Sequence, residues 1–223
     1  MKKDGFYAQI RQDTESIWKA IFDHPFVRGI GDGTLPRDRF EFYLKQDYVY
    51  LIDFSRVFGL AAVKSATLSD MGNFATLMNV TLNSEMELHR KTCEAFGILR
   101  ETLEDTRRAM ITCAYTDYLV RTCFEGDLAD ILAVLTPCAC GYAEIANVLK
   151  AKGLPGVSFY KDWIETYSSA EFEEFAKLLI ERLDAHAEGA PKRLKDRWRR
   201  LYETSARYEY LFFDMSWKME EWP

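Results

Sequence analysis

The chain has 223 residues, 48% hydrophobic and 29% charged, with only 12 Gly and 6 Pro. That is the balance of a single soluble domain covering residues 1–223, with enough apolar side chains for a substantial core. A formal charge of −6 and a pI near 5.3 weigh against nucleic acid as a partner. The start, Met1 to Gly5, carries no apolar signal-peptide core, and the central uncharged run from Ile131 to Ala143 is too short to span a membrane. Five scattered cysteines then point to free thiols and a cytoplasmic setting.

From Phe6 to Asp23 the apolar residues Ile10, Ile17, Trp18 and Ile21 recur at helical spacing. His24-Pro25 ends that helix, because a residue before proline is pushed out of the helical region. Gly29, Gly31 and Gly33 predict a loop, and Pro36 suits the start of a second helix reaching about Ala66. That helix has a stripe of Phe40, Tyr43, Leu44, Tyr50, Leu51 and Phe54, with Asp47 inside it. An uncompensated carboxylate on such a stripe is costly, so Asp47 marks either a solvent edge or a polar pocket.

A third helix is expected from Ser69 to Ala95, capped by Ser69-Asp70. Glu85 and His89 share a face there; with three histidines in the whole chain, a helix-face interaction is favoured over a metal site. A fourth helix runs from about Glu104 to Phe124 and carries Tyr115. Asp127 caps a fifth, Leu128 to Lys152, which Gly153 ends. The sixth spans Phe159 to Ala187, with an interruption near Tyr167 where Ser169 can cap a new segment. The last runs from Lys192 to Lys218 and is expected to bend near Thr204-Ser205. No stretch alternates as a strand does, so the expected fold is an all-α bundle of about seven or eight helices.

The fifth helix contains Thr136-Pro137-Cys138-Ala139-Cys140-Gly141-Tyr142. Pro137 removes a backbone donor just ahead of Cys138, and Tyr142 lies one turn further on the same face. A thiol in such a place is reactive or simply buried, and by itself the second reading is the commoner one. Asp47, Tyr50, Tyr115, Cys138, Tyr142, Tyr167 and Glu209 all interrupt apolar helix faces. That set suits a pocket in the bundle core, and equally suits core residues with hydroxyls satisfied at the rim.

The runs His24-Pro25-Phe26-Val27, Gly31-Asp32-Gly33-Thr34-Leu35 and Leu44-Lys45-Gln46-Asp47-Tyr48-Val49-Tyr50 resemble the N-terminal part of the TenA (thiaminase II) family. The resemblance continues through Ala114-Tyr115-Thr116, Leu135-Thr136-Pro137-Cys138, Tyr142-Ala143-Glu144, Trp163-Ile164-Glu165-Thr166-Tyr167 and Ser205-Ala206-Arg207-Tyr208-Glu209-Tyr210. It implies a haem-oxygenase-like fold without haem, and a homotetramer; no other cofactor is expected, and the shortage of histidines argues against a bound metal. It implies hydrolysis of aminomethyl-pyrimidine to hydroxymethyl-pyrimidine in thiamin salvage, with thiamin cleavage as a secondary reaction. Position by position, Cys138 matches the nucleophile and Glu209 the acid/base carboxylate. Asp47 matches the carboxylate that grips the pyrimidine; Tyr50, Tyr115, Tyr142 and Tyr167 match the lining tyrosines, and Phe212 an aromatic wall. Two departures stand out. Ala139, Cys140 and Gly141 replace the large aromatics frequent after the cysteine, and Val49 replaces another, changes expected to widen the pocket or alter subunit packing. A non-catalytic binder of small aromatics, or a metal-dependent oxidase on the same fold, are the alternatives.

Overall fold

The computed structural model describes residues 5–223, leaving aside the Leu88 side chain. The described residues form α-helices and one π-turn, with no strand among them. In chain order the helices are α1 (Phe6–Asp13), α2 (Glu15–Phe22), α3 (Pro25–Asp32), α4 (Arg37–Lys64), α5 (Leu68–Val80), α6 (Met86–Ala95), α7 (Arg100–Glu104), α8 (Met110–Glu125), α9 (Leu128–Lys152), α10 (Ser158–Tyr167), α11 (Ala170–Ala187) and α12 (Lys192–Lys218). The π-turn, Thr81–Glu85, joins α5 to α6.

Helices exceed the expected number because several predicted stretches are subdivided. Thr14 separates α1 from α2, its hydroxyl donating back to the Ile10 carbonyl at 2.8 Å. The glycine loop is instead helix α3: His24 caps it through Nδ1, which accepts from the Phe26 amide at 3.2 Å, and Pro25 occupies its first turn. Its glycines serve close packing. A Cβ on Gly29 would stand 2.9 Å from the Leu35 Cα, and one on Gly31 2.6 Å from Leu149 Cδ2. Gly33, at φ 77°, ends the helix in the left-handed region. Thr67, two residues ahead of the expected cap, accepts from the Asp70 amide at 3.0 Å and starts α5. The expected bounds of α9 match, and Asp127 and Asp130 exchange backbone-to-carboxylate hydrogen bonds at its start, both 3.0 Å long. Ser169 caps α11 as its position predicts.

The chain divides into two compact units, each discontinuous in sequence. The first holds the described residues up to Leu35 together with Leu132–Asp214; the second holds Pro36–Ile131 and Met215–Pro223. The first unit packs Trp18, Ile21, Phe26, Leu135, Tyr160, Leu183, Tyr202 and Phe213, all essentially inaccessible. Its packing includes a tilted contact between the Phe26 and Phe213 rings, centroids 5.6 Å apart. The second unit is built on α4, whose buried face meets α5, the π-turn, α6 and α8. Phe40, Tyr43, Phe58, Phe74 and Tyr115 fill it.

Helix α9 is long and apolar enough to match a membrane span by composition, but 78% of its most apolar 18-residue window is buried inside the protein. It is thus a core helix, and its hydropathy reflects burial by protein.

Candidate active site

The residues expected to carry chemistry fall into two groups, one in each unit. In the first unit, α9 presents Cys138 and Tyr142, α10 presents Tyr167, and α12 presents Glu209 and Phe212. From Leu128 to Ala143 every residue is buried except Cys138, which keeps accessible surface. Cys140, two positions later, is 5% exposed, and burial pushes its thiol up to about 12. Of the two thiol residues in this helix Cys138 keeps the more accessible surface, and it directly follows the proline.

The local backbone explains how a proline is accommodated there. Pro137 leaves the Ala133 carbonyl without its helical donor, and the Thr136 hydroxyl supplies one at 3.4 Å. The next carbonyl, Val134, accepts a 2.8 Å hydrogen bond from Ser205 Oγ on α12. A second link between these helices is the ring of Tyr142 against that of Phe213, centroids 5.7 Å apart and 29° between planes. Both links advance by eight residues, Val134 to Tyr142 and Ser205 to Phe213. The two helices therefore run parallel and in register over about 12 Å. Cys138 and Glu209 each lie four residues past the first link, midway along this interval, so thiol and carboxyl occupy the same level of the helix pair. Glu209 is 3% exposed. Burial of a carboxyl group on an aromatic stretch of helix is costly unless it is hydrogen-bonded or paired.

Around them stands an aromatic wall. The Tyr142 ring meets Tyr167 at 4.9 Å and Trp163 at 5.7 Å, and Trp163 meets Tyr167 at 4.8 Å. Phe212 is 2% exposed. The space beside Gly141, one of the small residues after Cys138, is filled by a side chain from another helix. Trp18 lies against Gly141 so closely that a Cβ there would stand 2.3 Å from Cη2 and 2.4 Å from Cζ3. Trp18 is 1% exposed, with the Arg11 guanidinium 5.1 Å from its ring centroid. An aromatic from α2 thus takes the volume that a large side chain on α9 would otherwise fill.

In the second unit, α4 carries Asp47 and Tyr50, and α8 carries Tyr115. The Tyr50 and Tyr115 rings lie 5.3 Å apart at 37°. Gln46 sets the register of α8 against α4. Its Oε1 accepts from the Ala109 amide at 2.9 Å and the Thr112 hydroxyl at 2.7 Å, and its Nε2 donates to the Arg107 carbonyl at 3.1 Å. Asp47 is 5% exposed and does not sit at a solvent edge. Its Oδ2 lies 2.7 Å from His89 Nε2. Burial disfavours the imidazolium, but the hydrogen bond and charge of Asp47 outweigh it and hold the His89 pKa above the ordinary value. Glu85 keeps some exposed surface along its length, yet protein crowds its carboxyl group. That burial, moderated by attraction to His89 and reinforced by repulsion from Asp47, pushes it up to about 7.

His89 is the partner of Asp47 that periodicity did not reveal. Among the described side chains of α6, Met86, His89 and Cys93 are the buried ones, so a histidine lies in an apolar stripe just as Asp47 does. Two such interruptions of opposite charge are a signal for a buried pair. Among the described residues no cluster of three or more His, Cys, Asp or Glu side chains has a geometry that could hold a metal ion.

The TENA/THI-4/PQQC family pattern matches residues 11–219. An aminopyrimidine aminohydrolase of Halalkalibacterium halodurans is 41% identical over 98% of this chain and 98% of its own. Among solved structures, a protein from Silicibacter described as a TenA family transcription regulator superimposes with a TM-score of 0.90 at 36% identity, covering 97% of this chain and 99% of its own. A domain from Shewanella denitrificans with a heme oxygenase-like fold superimposes at 0.75, covering 96% of this chain and 92% of its own; its 16% identity bears on fold alone.

Proposed function

The chain belongs to the TENA/THI-4/PQQC family, and on that footing we propose that it is an aminopyrimidine aminohydrolase of thiamin salvage. Its reaction is the hydrolysis of aminomethyl-pyrimidine by water to hydroxymethyl-pyrimidine and ammonia, with Cys138 as nucleophile. The observation that carries this reading is the accessible Cys138 thiol at the level of the buried Glu209 carboxyl, on parallel helices. The full-length similarity to a named aminopyrimidine aminohydrolase supports it.

Displacing an amine from a pyrimidine-methyl carbon is slow because the aromatic ring does not readily release it. Thiolate addition to the electron-poor ring interrupts the aromaticity, and the exocyclic amine, bound as its ammonium form, then leaves as ammonia with the C–N electron pair. Water adds to the exocyclic carbon and releases one proton to solvent, the thiolate departs and the ring is restored. Glu209 delivers a proton to a ring nitrogen during the addition and takes it back at the end. Asp47 accepts from the ring amino group. Tyr50, Tyr115, Tyr142 and Tyr167 give stacking area and hydroxyls for orientation, and Phe212 closes a wall. Thiamin cleavage follows the same course with a thiazole as leaving group, and the working assembly in this reading is a homotetramer.

A ligand-binding protein without turnover is the second reading, motivated by the relative described as a transcription regulator. Incubation with aminomethyl-pyrimidine, followed by mass, separates the two. The proposed function expects hydroxymethyl-pyrimidine and ammonia in equal amounts, and their loss in Cys138→Ala with binding retained. Binding by the wild-type chain with no product would establish the second reading, and undiminished ammonia release from Cys138→Ala would remove the cysteine mechanism.

A further inference from the structure

Asp47 alone, even if correctly placed on α4, has a carboxylate free to rotate about its last torsion, so something must fix which oxygen faces the substrate. The Asp47–His89 hydrogen bond does this. One oxygen, Oδ2, is engaged by Nε2 at 2.7 Å within a region where both residues are under 10% exposed. We propose that His89 is a positioning residue: it holds Oδ2 of Asp47 and leaves Oδ1 aimed at the pyrimidine amino group. The inference rests on the reading of Asp47 as a pyrimidine-binding group.

The placement of His89 is not a by-product of regular helix geometry. The π-turn Thr81–Glu85 holds one residue more than an α-helical turn would. Each residue contributes about 100° of rotation, so the turn shifts the face that α6 presents relative to α5. After it, Met86, His89 and Cys93 are buried among the described side chains of α6, which packs on α4. Such turns concentrate at functional sites, where they re-aim side chains at a cost in regular hydrogen bonding. Here the re-aimed histidine meets the carboxylate that the functional reading assigns to the substrate. Glu85, at the end of the turn, lies one helical turn before His89 and interacts electrostatically with both members of the pair. Two nearby arginines are engaged elsewhere: Arg56 on α4 and Arg108, just ahead of α8, both bind Asp53. On α6, Arg90 donates to the Tyr48 hydroxyl at 3.0 Å from Nη2. Asp47 has His89 as its ion-pair partner.

The test is steady-state hydrolysis of aminomethyl-pyrimidine by the full chain. In His89→Leu we expect KM to rise about tenfold or more while kcat falls less than about threefold, because the lost contact positions a ground-state binding group. His89→Gln, whose amide N–H can reach Asp47, should recover most of the KM. Asp47→Asn combined with His89→Leu should raise KM no further than Asp47→Asn alone, since the two act through one contact. A purely structural histidine would lower thermal stability with KM unchanged and would add to Asp47→Asn; either result overturns the inference. Should His89→Leu not fold, His89→Asn, whose shorter amide cannot reach the carboxylate, takes its place in the comparison with His89→Gln. A wild-type chain that does not turn over aminomethyl-pyrimidine overturns the functional reading and this inference together. Turnover with an unaltered KM in His89→Leu overturns this inference alone.

Discussion

Gly141→Ala is a one-carbon change with a calculable consequence. In an ordinary helix interior it should stabilise by about 1 kcal/mol, because alanine forms helix better than glycine. At this position the new methyl would stand 2.3 Å and 2.4 Å from two carbons of the Trp18 ring. Ordinary carbon contacts lie near 3.5–4.0 Å, so one partner must retreat by about 1.2 Å or more. Trp18 has little room to do so, being 1% exposed with Arg11 over its ring. Overpacking of this kind costs about 1–3 kcal/mol, at the upper end for a rigid ring. The net expectation is a loss of about 1–2 kcal/mol, or a Tm lower by roughly 2–8 °C for a chain of this size. Urea unfolding followed by circular dichroism measures it. Trp18→Leu should by itself destabilise through the cavity it leaves, but in that background Gly141→Ala should cost nothing and recover the helix-propensity gain. A single Gly141→Ala variant as stable as wild type or more so would refute the argument that Trp18 fills the space beside α9.

Three further outcomes follow from the same geometry. Glu209→Gln should lower kcat by about a hundredfold or more by removing a proton donor and acceptor, with little change in the urea midpoint; unchanged kcat in steady-state assays would exclude the acid/base role. Cys140→Ala should keep kcat/KM within about twofold of wild type, since its thiol is buried and does not ionise near neutrality; loss of activity with an intact fold would contradict the assignment of chemistry to Cys138 alone. Glu85 ties stability to pH. Its folded pKa of about 7 exceeds the ordinary 4.5, so the folded chain holds its proton more tightly than the unfolded chain, and that advantage fades as pH rises from about 4.5 to about 7. His89 acts in the same direction, its contribution being complete below about 6.5 and lost as pH passes its raised folded value. Urea midpoints should therefore show Glu85→Gln gaining on wild type between about pH 5 and pH 8, by up to roughly 3 kcal/mol at 1.36 kcal/mol per unit. A constant difference between the two proteins across that range would show that Glu85 titrates normally.

How much of this was legible in the sequence depended on whether the deciding contact was local. The bounds of α9 could be read because Asp127 and Gly153 punctuate an apolar run, and the caps at Asp127 and Ser169 are short-range chemistry. Gly29 and Gly31 misled because their role is set by Leu35 and Leu149, and proximity to distant chain segments leaves no mark on local spacing. Gly141 is the same case, its meaning carried by Trp18. The pairing of Asp47 with His89 escaped for another reason. Reading one continuous helix from Ser69 to Ala95 assumes constant rotation per residue, and the π-turn breaks that assumption just before His89. Asp47 and Cys138 could be singled out by composition, but burial of the first and accessibility of the second are properties of the packed chain.

Helix α9 concentrates departures from good local design within a few residues. It has a proline in its interior, small residues where a core helix would use large ones, a glycine on a buried face and an accessible thiol among buried neighbours. Each departure has its own compensation. Thr136 serves the Ala133 carbonyl, Ser205 binds the Val134 carbonyl, and Trp18 fills the space at Gly141. If Cys138 were only a core thiol, substitution of the whole segment by regular Leu- and Ala-rich helix would satisfy the same packing without these supports. The supports instead come from α2, α9 itself and α12, and two of them lie within one helical turn of Cys138. A sequence that breaks local rules in one place and stabilises each break from elsewhere is specifying a geometry at that place. What that geometry fixes is the height of the thiol along α9, level with Glu209 on α12, and the roles proposed for the two groups rest on that relation.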